Sequence, residues 1–390
     1  MPEIRKQEVI SLLRDLVSIS SINPNIEGEQ GEKELSHFVA EFLEKAGIKV
    51  QTQDVVDGRF NVIGTLKGLG NGRCLMFNGH IDTVGVRNMS IDPFKPVVEH
   101  DRLHGRGACD MKGSIAAMMV TMKTLAESRS PPKGDVVIST VVGEEFDNVG
   151  TKKLISDPSF SKIADAVIVG EPTALQLAIA HKGYALAELE TQGKAAHGSI
   201  PDKGIDAIEK MAKVVLRIED LKKEYSLKNH EMLGSPKIHT SIIQGGREWS
   251  VVPDQCLLKI EARTIPRYGS GEVMQDLQKI IEEFSWRDHD FKAKVKLVDA
   301  GEPLETSPNE PLVRTLQAAF RETKKVNPQI VGVPYYTEAS LFAGKLGIPS
   351  CLMGAGDIQQ AHAADEFVKT SDVIDVAEIY ALAARNFSEN

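Results

Sequence analysis

The stretch VVISTVVGEEFDNVG, residues 136–150, carries an apolar, β-branched run into two adjacent glutamates, Glu144 and Glu145. A short run of this kind that ends at a glycine reads as a strand buried on both faces, as strands of a parallel sheet are. Two like charges at the tip of such a strand need something to face. The same texture recurs in CLMFNGHID (74–82) and DAVIVGEP (165–172), and between the first of these and the glutamates lies KGSIAAMMVTMKTLAES (112–128), a good helix former. Strand and helix patterns thus alternate through the first 170 residues. The expected class is α/β, a mixed, mostly parallel sheet flanked by helices.

From about residue 183 the texture changes. GYALAELETQGK alternates like a half-exposed strand, a charged helix follows, and KIHTSIIQGG and QCLLKIEARTI precede a further helix, GEVMQDLQKIIEEF. Strand, helix, strand, strand, helix, strand describes a ferredoxin-like α+β unit. After about residue 300 the α/β texture returns, with IPSCLMGAG as a core strand and a last helix from about 371. The expected organisation is a first domain made of 1–182 and 300–390, interrupted by an inserted domain at 183–299.

Composition excludes several function classes. The 390 residues are 42% hydrophobic and 26% charged, ordinary for a globular protein, and the net charge of −9 with scattered Lys and Arg argues against a nucleic-acid partner. MPEIRKQEVISLLRDLVSIS spaces its apolar residues as an amphipathic helix, unlike a signal peptide, and no stretch reaches the roughly 20 apolar residues of a membrane span. Cys74, Cys109, Cys256 and Cys351 lie far apart with no CxxC, which suits free thiols in a reducing, cytoplasmic setting.

The strand ends hold the chemistry. FNGHIDTV brings His80 and Asp82, GRGACDMKG brings Asp110, VVGEE brings Glu144 and Glu145, IVGEP brings Glu171 and GDIQQAHAADE brings His362. Loops at the carboxyl ends of strands converge on one edge of an open α/β sheet. A pocket holding Asp110, Glu144, Glu145 and Glu171 repels itself unless cations enter it. Imidazole with carboxylate is a zinc-type donor set, and one central carboxylate suits two ions sharing a bridge. Two zinc ions balance Asp110, Glu145, Glu171 and one hydroxide, which leaves one glutamate of the pair free as a general base. Asp82, two residues after His80, is placed to take the proton of the other ring nitrogen.

The series GHIDTV, GRGACDMKG, GEE, VGEPT, GKAAHGSIPDKGIDAI, EARTIP and AHAADEFV, in this order over nearly the whole chain, resembles the di-zinc amidohydrolase family of acetylornithine deacetylase, succinyl-diaminopimelate desuccinylase, aminoacylase and glutamate carboxypeptidase. The resemblance implies that Asp110 bridges two metals, His80 and Glu171 completing one site and Glu145 and His362 the other, with Glu144 as base. It implies zinc, with cobalt or manganese able to substitute, and a cis peptide after Asp110. It makes the inserted unit a lid that binds substrate and pairs two subunits into a homodimer. His197 then matches a lid histidine that helps polarise the substrate carbonyl, Arg263 an arginine for the substrate α-carboxylate, and Gly354 and Gly356 a glycine-rich loop near that carboxylate. Ser250 stands where many relatives have a substrate-holding asparagine. TEA at Thr337 to Ala339, with Thr337 a substrate contact, and IQQAH before His362 lean toward the acetylornithine deacetylase branch.

Taken singly, these residues have other readings. Asp110 can be the N-cap of the next helix, Glu171 a turn residue before Pro172, His197 a loop histidine, Arg263 the partner of Glu261 or another surface acid, and Cys109 a small packing residue. Taken together, they lead to a metal-dependent enzyme that cleaves an N-acyl amino acid such as acetylornithine or succinyl-diaminopimelate. The alternatives are a dipeptidase or carboxypeptidase of the same chemistry acting on a short peptide, and a metal-binding regulatory protein without catalysis.

Overall fold

The computed structural model describes residues 3–27, 31–56, 58–160 and 162–389. It comprises two compact units, one formed by Met1–Ile179, Thr306–Val331 and Thr337–Asn390, the other by Ala180–Glu305 and Gly332–Tyr336.

At the centre of the first unit, four strands run parallel in the order Val136–Val141, Leu75–His80, Ala166–Val169, Ser350–Leu352. Every residue in them is buried, which explains their continuous apolar runs. Antiparallel strands extend the sheet on both sides. Arg59–Leu66 pairs with Val136–Val141 and in turn with Lys49–Val56, and Leu177–His181 meets Ser350–Leu352. Helices flank the sheet in two groups. Lys6–Ser18, Gly113–Ala126, Pro311–Lys324 and Thr370–Glu389 pack on one another, while Val149–Ser156 packs on Ala339–Leu346. Gly113–Ala126 is apolar on nearly every turn because it is buried on nearly every turn. Among the described residues no helix is long and apolar enough to cross a membrane.

The second unit is a four-stranded antiparallel sheet in the order Lys237–Gly245, Gln255–Thr264, Gly183–Gln192, Lys292–Gly301. Helices Ala207–Ser226 and Ser270–Arg287 complete the ferredoxin-like order of elements. The alternation in GYALAELETQ has a direct cause: Ala185, Ala187 and Leu189 join the core with Met211, Ile218 and Leu277, while Glu188 and Glu190 face the other way and pair with Lys296 and Lys294. Asp206 caps the first helix, accepting from the Ile208 and Glu209 amides at 2.8 and 3.0 Å. The edge strand Lys237–Gly245 leaves Ile242 and Ile243 exposed, at 45% and 53%.

Candidate active site

His80, Glu144, Glu145 and Glu171 stand at or just past the ends of strands whose burial fixes their starting points. His80 ends its strand, Glu144 and Glu145 form the turn after Val136–Val141, and Glu171 lies two residues past Ala166–Val169. Asp110 sits in the irregular turn before helix Gly113–Ala126, with extended dihedrals and a cis Asp110–Met111 peptide. The N-cap of that helix is Lys112, so Asp110 does not cap it. His362 takes a left-handed backbone, φ +61°, in the loop before the last short strand.

These side chains gather into two groups that share Asp110: His80, Asp110 and Glu171, and Asp110, Glu145 and His362. The sharing is oxygen by oxygen. His80 Nε2 lies 3.1 Å from Asp110 Oδ1, and His362 Nε2 lies 3.5 Å from Asp110 Oδ2. His80 Nε2 is also 3.7 Å from Glu171 Oε1, and His362 Nε2 is 3.1 Å from Glu145 Oε2. The first group is buried, whereas the His362 side chain is 53% exposed.

The electrostatics point to missing positive charge. Burial raises the carboxyls of Glu144, Glu145 and Glu171, and repulsion among the acids adds to it. Hydrogen bonding to Asp110 and Glu145 pushes His362 up to about 10. For His80 burial opposes the charged form, but hydrogen bonding to Asp110 and Asp82 and the charges of Asp110 and Glu171 together outweigh it and raise the pKa. Glu171 Oε1 is buried with no hydrogen-bond partner among the described residues. An orphaned carboxylate oxygen, two imidazoles and a carboxylate facing both ways fit a pair of divalent cations, whose charge would reverse these shifts. The Glu144 carboxylate has no hydrogen bond or ion pair among the described residues, although its amide is held by Asp82 Oδ1.

Asp82 reaches the His80 ring with both its main chain and its carboxylate. The His80 Nδ1 partner is the main-chain carbonyl of Asp82 at 3.0 Å, with the carboxylate farther off at 3.6 Å. The carboxylate is occupied elsewhere: Oδ1 accepts from the Glu144 amide, and Oδ2 from the Glu145 amide and Asn23 Nδ2, at 3.0, 3.0 and 2.8 Å.

Several supports are illegible in the sequence. Gly143, at φ +80°, donates its amide to Glu32 Oε1 at 3.2 Å, and Glu32 is held by Arg59 Nε at 2.7 Å in a buried ion pair. A Cβ at Gly143 would lie 2.7 Å from Val149 Cγ1 and 3.1 Å from Arg59 Nη2. Glu338, buried next to Thr337, accepts from Thr151 Oγ1 and from Asn78 Nδ2, and burial pushes its carboxyl up to about 7. Glu32 sits among ordinary helix-surface charges in GEQGEKELSHF, and Glu338 in TEAS, so no pattern singles them out.

The remaining candidates are placed as follows. Thr337 is buried and its hydroxyl accepts from the Ala339 amide at 3.3 Å. Gly354 is a close-approach position, since a Cβ there would lie 2.2 Å from the Gly170 carbonyl, and Gly356 has φ +87°. Cys109 is buried, and burial raises its thiol far above the ordinary value, as packing rather than reactivity requires. His197, Ser250 and Arg263 belong to the second unit. There His197 Nδ1 is 2.8 Å from Ser199 Oγ, the Ser250 carbonyl accepts from the Gly198 amide at 2.7 Å, and Arg263 pairs with Glu261 at 2.7 Å.

Known proteins are similar to this chain over nearly its whole length. The chain is 29% identical over 394 residues to acetylornithine deacetylase of Myxococcus xanthus, covering 99% of this chain and 98% of that one. It is 27% identical over 403 residues to N-formyl-4-amino-5-aminomethyl-2-methylpyrimidine deformylase of Bacillus subtilis (strain 168), covering 97% and 94%. The crystal structure of aminopeptidase PepT from Bacillus cereus ATCC 10987 has the same fold, with a TM-score of 0.80 at 20% identity over 98% of this chain and 99% of that one. The model of Peptidase family M20/M25/M40 matches residues 76–386. Because that match begins in the strand bearing His80, ends in the last helix and takes in every side chain gathered around Asp110, the chain belongs to Peptidase family M20/M25/M40.

Proposed function

We propose that the protein hydrolyses the amide bond of an N-acyl amino acid, of the acetylornithine or succinyl-diaminopimelate type, with two metal ions per subunit and Glu144 as general base. The observation that carries this reading is the division of labour around Asp110. Each of its oxygens faces a different histidine, while Glu144 stands beside the pair with an unengaged carboxylate. His80, Asp110 and Glu171 would hold one ion, and Asp110, Glu145 and His362 the other. The donors suit zinc, and cobalt or manganese accept the same set. When bound, the ions supply Lewis acidity toward a water and toward the amide carbonyl. Glu144 takes the proton of the attacking water on its carboxylate and returns it to the departing amine nitrogen. The His80 Nδ1 bond to the Asp82 carbonyl keeps Nε2 free for its ion.

In the second unit, the exposed Ile242 and Ile243 on a strand whose outer edge is open among the described residues, together with exposed Leu216, support a homodimer formed through this lid. His197 then polarises the substrate carbonyl in the partner site, and Arg263, Ser250, Thr337, Gly354 and Gly356 serve substrate binding, Arg263 exchanging Glu261 for the substrate carboxylate. The names of the two relatives, a deacetylase and a deformylase, support removal of a small acyl group.

The test is amine release by zinc-loaded protein over a panel of N-formyl, N-acetyl and N-succinyl amino acids and dipeptides, with Glu144→Ala as control. Hydrolysis of an N-acyl amino acid is expected, with turnover lowered by about 10²–10⁴-fold in Glu144→Ala while both metals stay bound. Cleavage of dipeptides alone would replace the deacylase reading with a peptidase one. Full turnover by Glu144→Ala would remove the base.

A further inference from the structure

Glu366 lies four residues after His362, at the start of the short strand Phe367–Lys369, and is fully buried. Its carboxylate meets no candidate ligand side chain. It meets the backbone that carries one. Oε1 accepts from the Cys109 and Asp110 amides at 2.8 and 3.1 Å, and Oε2 accepts from the Gly107 amide at 3.0 Å and from Arg106 Nη1 at 2.6 Å. Four donors use up the acceptor capacity of a carboxylate, so Glu366 has nothing left to offer an ion. Arg106 is anchored in turn, donating from Nε to the Gly85 carbonyl at 3.1 Å.

This arrangement ties two ligand loops together. One end of the connection is the amide of Asp110 itself, and the other is the segment that bears His362. The register between strands Phe367–Lys369 and Arg102–His104 and the Gly105 amide bond to the Glu366 carbonyl, at 3.0 Å, close the connection on the main chain. The spacing of His362 Nε2 from Asp110 Oδ2 is thus set through Glu366. His80 ends one strand and Glu171 follows another, and the Glu366 carboxylate bonds to neither segment.

We infer that Glu366 is a positioning residue for the metal site built from Asp110, Glu145 and His362, and that it acts on this site more than on the one built from His80, Asp110 and Glu171. The inference rests on the two-metal reading above. Glu366→Gln keeps the size but puts an NH2 group where an oxygen accepted two donors, so part of the connection must open.

The experiment is a titration of metal-free protein with ZnCl2, followed by calorimetry and by competition with a chromophoric chelator. His362→Ala identifies which binding step belongs to the His362 site. Glu366→Gln is expected to weaken that same step by about 10–100-fold and to leave the other near its wild-type value. An unchanged isotherm overturns the inference, and so does equal weakening of both steps, which would mean general loosening. Should Glu366→Gln not fold, Glu366→Asp decides on the same criteria, because it keeps the charge and draws the carboxylate back by one methylene. Since binding and not turnover is read, a silent substrate panel would count against the proposed reaction and leave this inference standing.

Discussion

Replacing Asp82 by Asn separates the proposed base from the proposed ligand beside it. Asp82 Oδ2 holds two donors, the Glu145 amide and Asn23 Nδ2, whereas Oδ1 accepts from the Glu144 amide and has His80 Nδ1 farther off at 3.6 Å. An asparagine keeps more bonds by leaving its oxygen at the Oδ2 position and turning its NH2 toward Glu144. Asn23 cannot flip to help, because its Oδ1 already accepts from the Asn25 amide at 3.0 Å. The Glu144 amide therefore loses a charged acceptor and meets a donor, while the Glu145 amide keeps its bond. A hydrogen bond to a charged group contributes about 1.5–3 kcal/mol. If that loss falls on the position of Glu144 in the transition state, kcat drops on the order of 10–100-fold. Metal affinity stays close to wild type, because His80 is oriented by the Asp82 carbonyl, which the substitution leaves in place. Asp82→Ala removes both amide bonds and is expected to lower metal affinity as well as kcat. The assays are steady-state kinetics on the substrate found by the panel, and zinc titration of the metal-free variants. An Asp82→Asn protein with weakened zinc binding and wild-type kcat would refute the reasoning, since it would put the carboxylate in charge of His80.

Three further outcomes are expected. Arg59→Met strands the buried Glu32 carboxylate, a loss of about 3–5 kcal/mol, and the double variant Glu32→Met with Arg59→Met recovers part of it; equal thermal midpoints for the single variant and wild type would contradict this. Lys112 is buried with Nζ donating to the Ile19 carbonyl at 2.8 Å, and burial lowers its pKa from 10.5 to about 7. The unfolded chain then holds this proton up to higher pH than the native state does, so stability rises from about pH 7 toward 10.5, by on the order of 5 kcal/mol at most; Lys112→Met is expected to flatten that rise, and parallel curves for the two proteins would exclude the effect. Chelating the metals leaves Asp110, Glu145 and Glu171 to repel one another, so the thermal midpoint should fall and return with ZnCl2, a hundredfold excess over Kd restoring about 2.7 kcal/mol; no change on chelation would argue against structural coupling of the centre.

What could be read in the sequence follows from distance along the chain. The four parallel strands were legible because burial on both faces leaves an unbroken apolar run, and His80, Glu145 and Glu171 because each lies at or just past the end of such a run. The antiparallel edges carried no such mark: Lys49–Val56 is mostly exposed, and its direction is set by the turn into Arg59–Leu66. Glu32, Glu338 and Glu366 escaped because an acid that binds distant amides looks, in one dimension, like an acid that faces water. Asp82 was singled out for a nearby ring, yet its carboxylate is held by amides 62 and 63 residues away. Arg263 shows the reverse case, where the plain local reading, a pair with Glu261, is the contact present.

The central sheet also has an order of arrival. Its strand Ser350–Leu352 lies between Ala166–Val169 and Leu177–His181, so the middle of the sheet is filled by residues that leave the ribosome some 180 positions after its neighbours. At synthesis rates of about 5–20 residues per second, the nascent protein spends many seconds with His80, Asp110, Glu145 and Glu171 made and His362 still to come. During that interval the inserted unit can close on itself, for its four strands and two helices lie in one continuous stretch, whereas Ala166–Val169 waits with an open edge. The half-built protein is thus an acidic cleft beside an unpaired strand, the stage at which a chaperone or a premature metal ion would meet it.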